Sequence, residues 1–122
     1  MKIMVVEDNP QMRQMICEVV ADLAAGVTEC ADGEAAVAAY AAQQFSGEDL
    51  VLMDLQMPGI SGLEATRRIR AAFPDAQIII ITQYDDQHWR AAATVAGACG
   101  YVLKENLLEL RQMLKKSPPV IS

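Results

Sequence analysis

Four stretches of this sequence end an apolar run in a polar, chemically able side chain. Lys2 to Val6 leads into Glu7-Asp8, Leu50 to Met53 into Asp54, Ile78 to Ile81 into Thr82, and Tyr101 to Leu103 into Lys104. A carboxylate at the end of a buried strand is costly to leave unpaired, so Asp54 is either satisfied locally or functional. A strand-end Asp or Thr alone is an ordinary cap or turn residue. At corresponding positions the set becomes a constellation. Three carboxylates in one crevice repel each other and call for a hard divalent cation, and magnesium favours a few carboxylates, water and phosphate oxygens. Lys104 would pair with the carboxylate or a phosphate as a point charge, and Thr82 would donate a hydroxyl hydrogen bond. Asp54 would then attack in line as a nucleophile and form an acyl phosphate.

The elements that must position these groups follow from the hydrophobic pattern. Lys2–Val6 reads as a strand, and Asn9-Pro10 as the N-cap and first residue of a helix. Met12, Met15, Ile16, Val19, Val20 and Leu23 make its apolar stripe, with Gly26 as the stop. Residues 27–31 form a weaker, alternating edge strand, and Asp32-Gly33 turns the chain into an alanine-rich helix over 34–44. The strand ending at Asp54 is broken by Pro58-Gly59. Leu63, Thr66, Ile69 and Phe73 stripe the third helix, which Pro74-Asp75 ends. Residues 77–82 suit a central strand covered on both faces. Asp85-Asp86 cap a helix carrying Trp89, Ala92, Ala93 and Ala96, and a short strand follows at 101–103. The last helix, 106–116, turns Leu107, Leu110 and Leu114 inward, and Ser117-Pro118-Pro119 stops it. Five strand–helix units predict an α/β fold, a doubly wound parallel sheet with helices on both faces. Its ligands belong beyond the carboxyl ends of the strands.

Bulk properties narrow the function. The chain has 122 residues, 52% of them hydrophobic and 21% charged, which suits one folded domain and excludes a disordered one. A net charge of −6 argues against direct nucleic-acid binding by this segment and favours a cation or a basic partner. Apolar runs are too short for a membrane span, and Met1-Lys2 leads straight into a strand, so a cytoplasmic protein is expected. Cys17, Cys30 and Cys99 lack metal spacing and read as reduced, mostly buried thiols. His88 reads as a surface helix residue, and Trp89 as an anchor of the core or of a partner surface. Arg67, Arg68 and Arg70 read most simply as a solvated face, with partner docking as the sharper alternative. No nucleotide-binding glycine motif is present.

Val5-Val6-Glu7-Asp8-Asn9, Leu52-Met53-Asp54-Leu55-Gln56-Met57-Pro58-Gly59, Ile80-Ile81-Thr82 and Gly100-Tyr101-Val102-Leu103-Lys104 resemble the receiver domain of two-component response regulators. The resemblance runs from about Lys2 to Lys116. It is strongest to receivers that precede helix-turn-helix output domains, judging by Gly-Tyr-Val-Leu-Lys-Glu and Tyr84-Asp85-Asp86. It implies a flavodoxin-like sheet of order 2-1-3-4-5 with five helices, occupying 1–116. Residues 117–122 would be a tail or the start of an interdomain linker. It further implies magnesium-dependent phosphorylation of Asp54 by a histidine kinase or phosphotransfer protein. By position, Asp8 would bind magnesium directly, Glu7 largely through water, and Gln56 through its backbone carbonyl. Thr82 would be drawn toward the phosphoryl group and Tyr101 would swing inward, altering the face of the fourth helix, fifth strand and fifth helix. Homodimerisation through that face and a C-terminal DNA-binding output domain are family expectations.

Three departures bear on these expectations. Gln83 stands where the family usually has a small residue, and is expected to cover the site partly and slow access. Glu105 replaces a frequent proline, so the preceding bond is expected trans. Glu7 replaces a more frequent aspartate. Such a protein would not be an enzyme on an external substrate; it would assist only its own phosphorylation and dephosphorylation. A phosphohydrolase with an aspartyl intermediate needs an acid/base carboxylate just beyond the nucleophile, where Gln56 supplies an amide. A flavin or nucleotide binder needs a phosphate-binding first loop, which Glu7-Asp8 would repel.

Overall fold

The computed structural model describes residues 1–116. Five strands, β1 (Lys2–Val6), β2 (Gly26–Cys30), β3 (Leu50–Asp54), β4 (Ile78–Thr82) and β5 (Gly100–Leu103), form one parallel sheet in the order β2-β1-β3-β4-β5. The helices are α1 (Pro10–Val20), α2 (Gly33–Ala42), α3 (Gly62–Ala72), α4 (Gln87–Ala96) and α5 (Leu107–Lys116). Side chains alternate across the sheet with period two. Met4, Val6, Val51, Met53, Ile78 and Ile80 face α2, α3 and α4, where they meet Tyr40, Ala65, Ile69 and Ala93. Ile3, Val5, Leu50, Leu52, Ile79 and Ile81 face α1 and α5, where they meet Ile16, Val20, Leu110 and Leu114. Every residue of β3 and β4 is buried, as the unbroken apolar runs require of a parallel sheet covered on both faces. The fold is the expected flavodoxin-like one.

Helix starts sit where the polar punctuation puts them. The side chains of Asn9, Asp32, Ser61 and Asp86 accept from the backbone N–H of Met12, Ala35, Glu64 and Trp89. Asp32-Gly33 is thus the cap and first residue of α2 rather than a separate turn. Gly26 does not stop α1. The helix ends at Val20, a 3-10 turn follows over Ala21–Leu23, and Ala25 N–H donates to Met1 O, so Gly26 already pairs with Lys2. α2 ends at Ala42, short of Gln44, which takes a left-handed φ of 58°. Met15 lies off the edge of the α1 stripe and is exposed. The thiols are free, but only Cys30 is buried; Cys17 is half-buried and Cys99 exposed. Burial pushes the Cys30 thiol up. Arg67 and Arg68 both pair with Glu64 on the surface of α3. Arg70 departs from that solvated face: it is half-buried and donates to the Pro74 and Ala76 carbonyls beyond the helix. His88 is exposed, and Trp89 is half-buried against the core. No peptide bond among the described residues is cis. The proposed tail, 117–122, lies outside them.

Candidate functional site

Parallel register brings the strand ends to one edge. Val6 aligns with Met53, Asp54 with Ile81, and Thr82 with Leu103. Glu7, Asp54, Thr82 and Lys104 therefore emerge at one level and line, with Asp8, Asn9, Gln56, Gln83 and Tyr84, a cleft of about 260 Å³. Asp54 closes β3 with 5% exposure, Glu7 is 1% exposed, and Asp8 is exposed at the rim.

The charges are arranged as a cluster. Lys104 Nζ lies 2.8 Å from Glu7 Oε1 and 3.1 Å from Asp54 Oδ1. Burial pushes the Asp54 carboxyl up to about 7; the Glu7 charge adds to the rise and the Lys104 ammonium partly offsets it. Burial pulls the Lys104 ammonium down, but the two carboxylates outweigh that and its pKa is raised. Glu7 is held from several directions. Its N–H donates to Cys30 O at 3.0 Å, its Oε2 accepts from Asn9 N–H at 3.1 Å, and its carbonyl accepts from Arg13 Nη1 at 2.7 Å. Its buried Oε1 has the Lys104 charge beside it but no well-aligned hydrogen-bond donor.

Carboxylate oxygens of Glu7, Asp8 and Asp54 lie within 4.8 Å of one another. An all-oxygen donor set with one rim carboxylate and one under-satisfied buried oxygen fits a hard divalent cation such as magnesium. The residues present therefore fit the ion that the sequence called for.

Two loops frame the mouth. Pro58-Gly59 turns the chain after β3, with Gly59 at a φ of 83° that favours glycine. Gly62 N–H then donates to Leu55 O at 2.9 Å, and a Cβ on Gly62 would overlap the Asp54 carbonyl oxygen. Across the cleft, Tyr84 gathers the other contacts. Its N–H donates to Thr82 Oγ1 at 3.1 Å and its hydroxyl donates to Gln56 Oε1 at 3.0 Å. Its carbonyl accepts from the Tyr101 hydroxyl, and its ring lies 6.2 Å from that of Trp89.

The sequence reading placed the access residue at Gln83. Gln83 is exposed and lines the cleft, but the side chain that spans it is Tyr84. Tyr101 is half-buried on β5, with the Arg90 guanidinium 4.6 Å from its ring centroid and its hydroxyl already directed to the loop after β4, near Thr82. Tyr84, Gly62 and Arg13 were not singled out from the sequence for these roles. A tyrosine two residues past the strand-end threonine was the one visible signal.

A doubly wound flavodoxin-like sheet with an acidic cleft at its carboxyl edge defines the class of protein. Within it, the chain belongs to the response regulator receiver domain family, whose family model matches residues 3–115. It is 33% identical over 112 residues to the response regulator GacA of Pseudomonas aeruginosa, covering 88% of this chain and 50% of that protein. It is 40% identical over 108 residues to the oxygen regulatory protein NreC of Staphylococcus carnosus, covering 85% and 48%. The chain thus spans about half the length of these curated relatives. Among solved structures, it superposes on a LuxR-family two-component response regulator from Aurantimonas with a TM-score of 0.84 at 33% identity, covering 93% of this chain and 81% of that one. It superposes on the response regulator TrrA of Thermotoga maritima, crystallised with Mg(2+)-BeF, with a TM-score of 0.81 at 35% identity, covering 94% and 96%. Among the described residues no helix is long and apolar enough to cross a membrane.

Proposed function

We propose that this chain is a phosphorylation-dependent signalling switch in which Asp54 accepts a phosphoryl group. The observation that carries the reading is the meeting of Asp54, Glu7 and Lys104 within ion-pair distance at the carboxyl edge of the sheet. The donor would be a phosphohistidine on a histidine kinase or phosphotransfer protein. An Asp54 carboxylate oxygen attacks phosphorus, the bond from phosphorus to the donor nitrogen breaks, and an acyl phosphate forms on Asp54. Glu7, Asp8 and Asp54, with the backbone carbonyl of Gln56, would hold magnesium, which when bound neutralises charge on the phosphoryl oxygens. Lys104 stays as a counter-charge, and Thr82 donates its hydroxyl to a phosphoryl oxygen. The chain promotes its own phosphorylation and dephosphorylation and turns over no external substrate.

Phosphorylation replaces the single carboxylate charge of Asp54 with a phosphoryl group carrying about two negative charges and three acceptor oxygens. Thr82 turning toward the phosphoryl oxygens releases Tyr84 N–H, and the loop of Tyr84, which the Tyr101 hydroxyl of β5 holds by its carbonyl, carries the change to α4, β5 and α5. Val95 on α4 and Leu108 on α5 are 84% and 65% exposed, which suits that face to a homodimer or output contact. A DNA-binding output domain C-terminal to residue 122 and a cytoplasmic location accord with this role. Incubation with acetyl phosphate and magnesium, followed by intact mass, tests it: the chain gains one phosphoryl group, and chelation of magnesium abolishes the gain. No gain in Gln83→Ala or Tyr84→Phe, where access is widened, would refute it.

A further inference from the structure

We propose that Arg13 is a positioning residue for the cation-holding turn between β1 and α1. The inference rests on the reading that Glu7, Asp8 and Asp54 hold a divalent cation. β1 ends at Val6, so the Glu7 carbonyl lies past the strand and needs a partner. Arg13 supplies it from the first turn of α1: its Nη1 donates to Glu7 O at 2.7 Å. Its Nε donates to Glu29 Oε1 on β2 at 3.1 Å, so the guanidinium is fixed at both ends. The side chain is 20% exposed, while Glu29 is exposed. Arg13 N–H also donates to Asn9 O, and Asn9 N–H holds Glu7 Oε2. One side chain thus ties α1 and β2 to the backbone of Glu7, next to Asp8.

Two effects of this cation on a bound divalent ion have opposite signs. As a positive charge near the carboxylates, Arg13 opposes cation binding. As the clamp on the Glu7 carbonyl, it keeps Glu7 and Asp8 converged and favours binding. Arg13 touches neither the cation nor the phosphoryl group in this arrangement and acts through the turn.

The test is calorimetric titration of the chain with magnesium chloride alone, with thermal melting in chelator as the check on folding. Positioning predicts that Arg13→Met weakens magnesium binding about 5–10-fold, the size of one hydrogen bond's net contribution. Arg13→Lys falls in between, because an ammonium cannot serve both partners as a fork does. Glu29→Gln stays within about 2-fold, because an exposed ion pair contributes little. If Arg13→Met does not fold, the intermediate loss in Arg13→Lys decides. Magnesium binding in the Arg13 variants as tight as or tighter than in the parent overturns the inference, as does a loss in Glu29→Gln equal to that in Arg13→Met. Parent protein that binds no magnesium overturns the functional reading as well, so the two failures are distinct.

Discussion

Lys104 Nζ stands 3.1 Å from Asp54 Oδ1 and 2.8 Å from Glu7 Oε1. It is the counter-charge for two buried carboxylates. Removing one member of a buried charge cluster leaves the others uncompensated. Lys104→Met should therefore lower the unfolding free energy by about 2–4 kcal/mol at alkaline pH without magnesium. Saturating magnesium should recover most of the loss, because a bound cation replaces the missing charge. Urea unfolding with and without magnesium measures both; equal losses in the two conditions would contradict the arrangement.

The Asp54 carboxyl is raised from 3.8 to about 7. Between those values the folded protein holds a proton that the unfolded chain has released, so stability falls as pH rises through this window in magnesium-free buffer. Asp54→Asn should flatten that fall and make the protein more stable than the parent above pH 7. Magnesium needs the carboxylate ionised, so its affinity should rise from about pH 6 to about pH 8, with proton release on binding. Calorimetry in buffers of different ionisation enthalpy detects that proton.

Tyr84 OH and Gln56 Oε1, 3.0 Å apart, join the loops on either side of the cleft. Opening it breaks a hydrogen bond of about 1 kcal/mol. Tyr84→Phe should speed phosphorylation by acetyl phosphate about 2–5-fold, a factor of the size that one such bond supplies. Gln83→Ala should change the rate less, since Gln83 is exposed at the rim. An unchanged or slower rate in Tyr84→Phe would show that the bridge does not control entry.

Gly62 packs against the backbone of Asp54 itself. A methyl group there meets backbone rather than a movable side chain, so Gly62→Ala should destabilise by about 3 kcal/mol or more. Gly26, with nothing within 4 Å of its would-be Cβ, is the control, and Gly26→Ala should change stability by less than about 1 kcal/mol. Thermal melts by circular dichroism compare the two.

Much of the edge-on constellation was legible because buried parallel strands have little choice of register. An apolar run that ends in Asp54 and another that ends in Thr82 must deliver those groups to the same side once the strands pair in parallel. Loop geometry is set by contacts between distant segments and has no such period. Nothing in Gln56 or Tyr84 alone reveals that their side chains meet, whereas Gln83, directly after Thr82, lines the cleft as its position implied. The start of β2 was misplaced for a related reason. A glycine after a helical stripe reads as a stop, but Gly26 belongs to the ladder with Lys2. Met15 fits the helical period of α1 yet stays exposed, because periodicity does not report how wide the covered stripe is.

The central claim is that Asp54, and no other carboxylate in the cleft, takes the phosphoryl group. Borohydride reduction of the acetyl phosphate-treated protein, followed by peptide mass mapping, locates an acyl phosphate directly. The expected result is a single reduced side chain, at position 54, that requires magnesium and is absent from Asp54→Asn. Reduction at Glu7 or Asp8 in the parent protein, or undiminished labelling of Asp54→Asn, would contradict it.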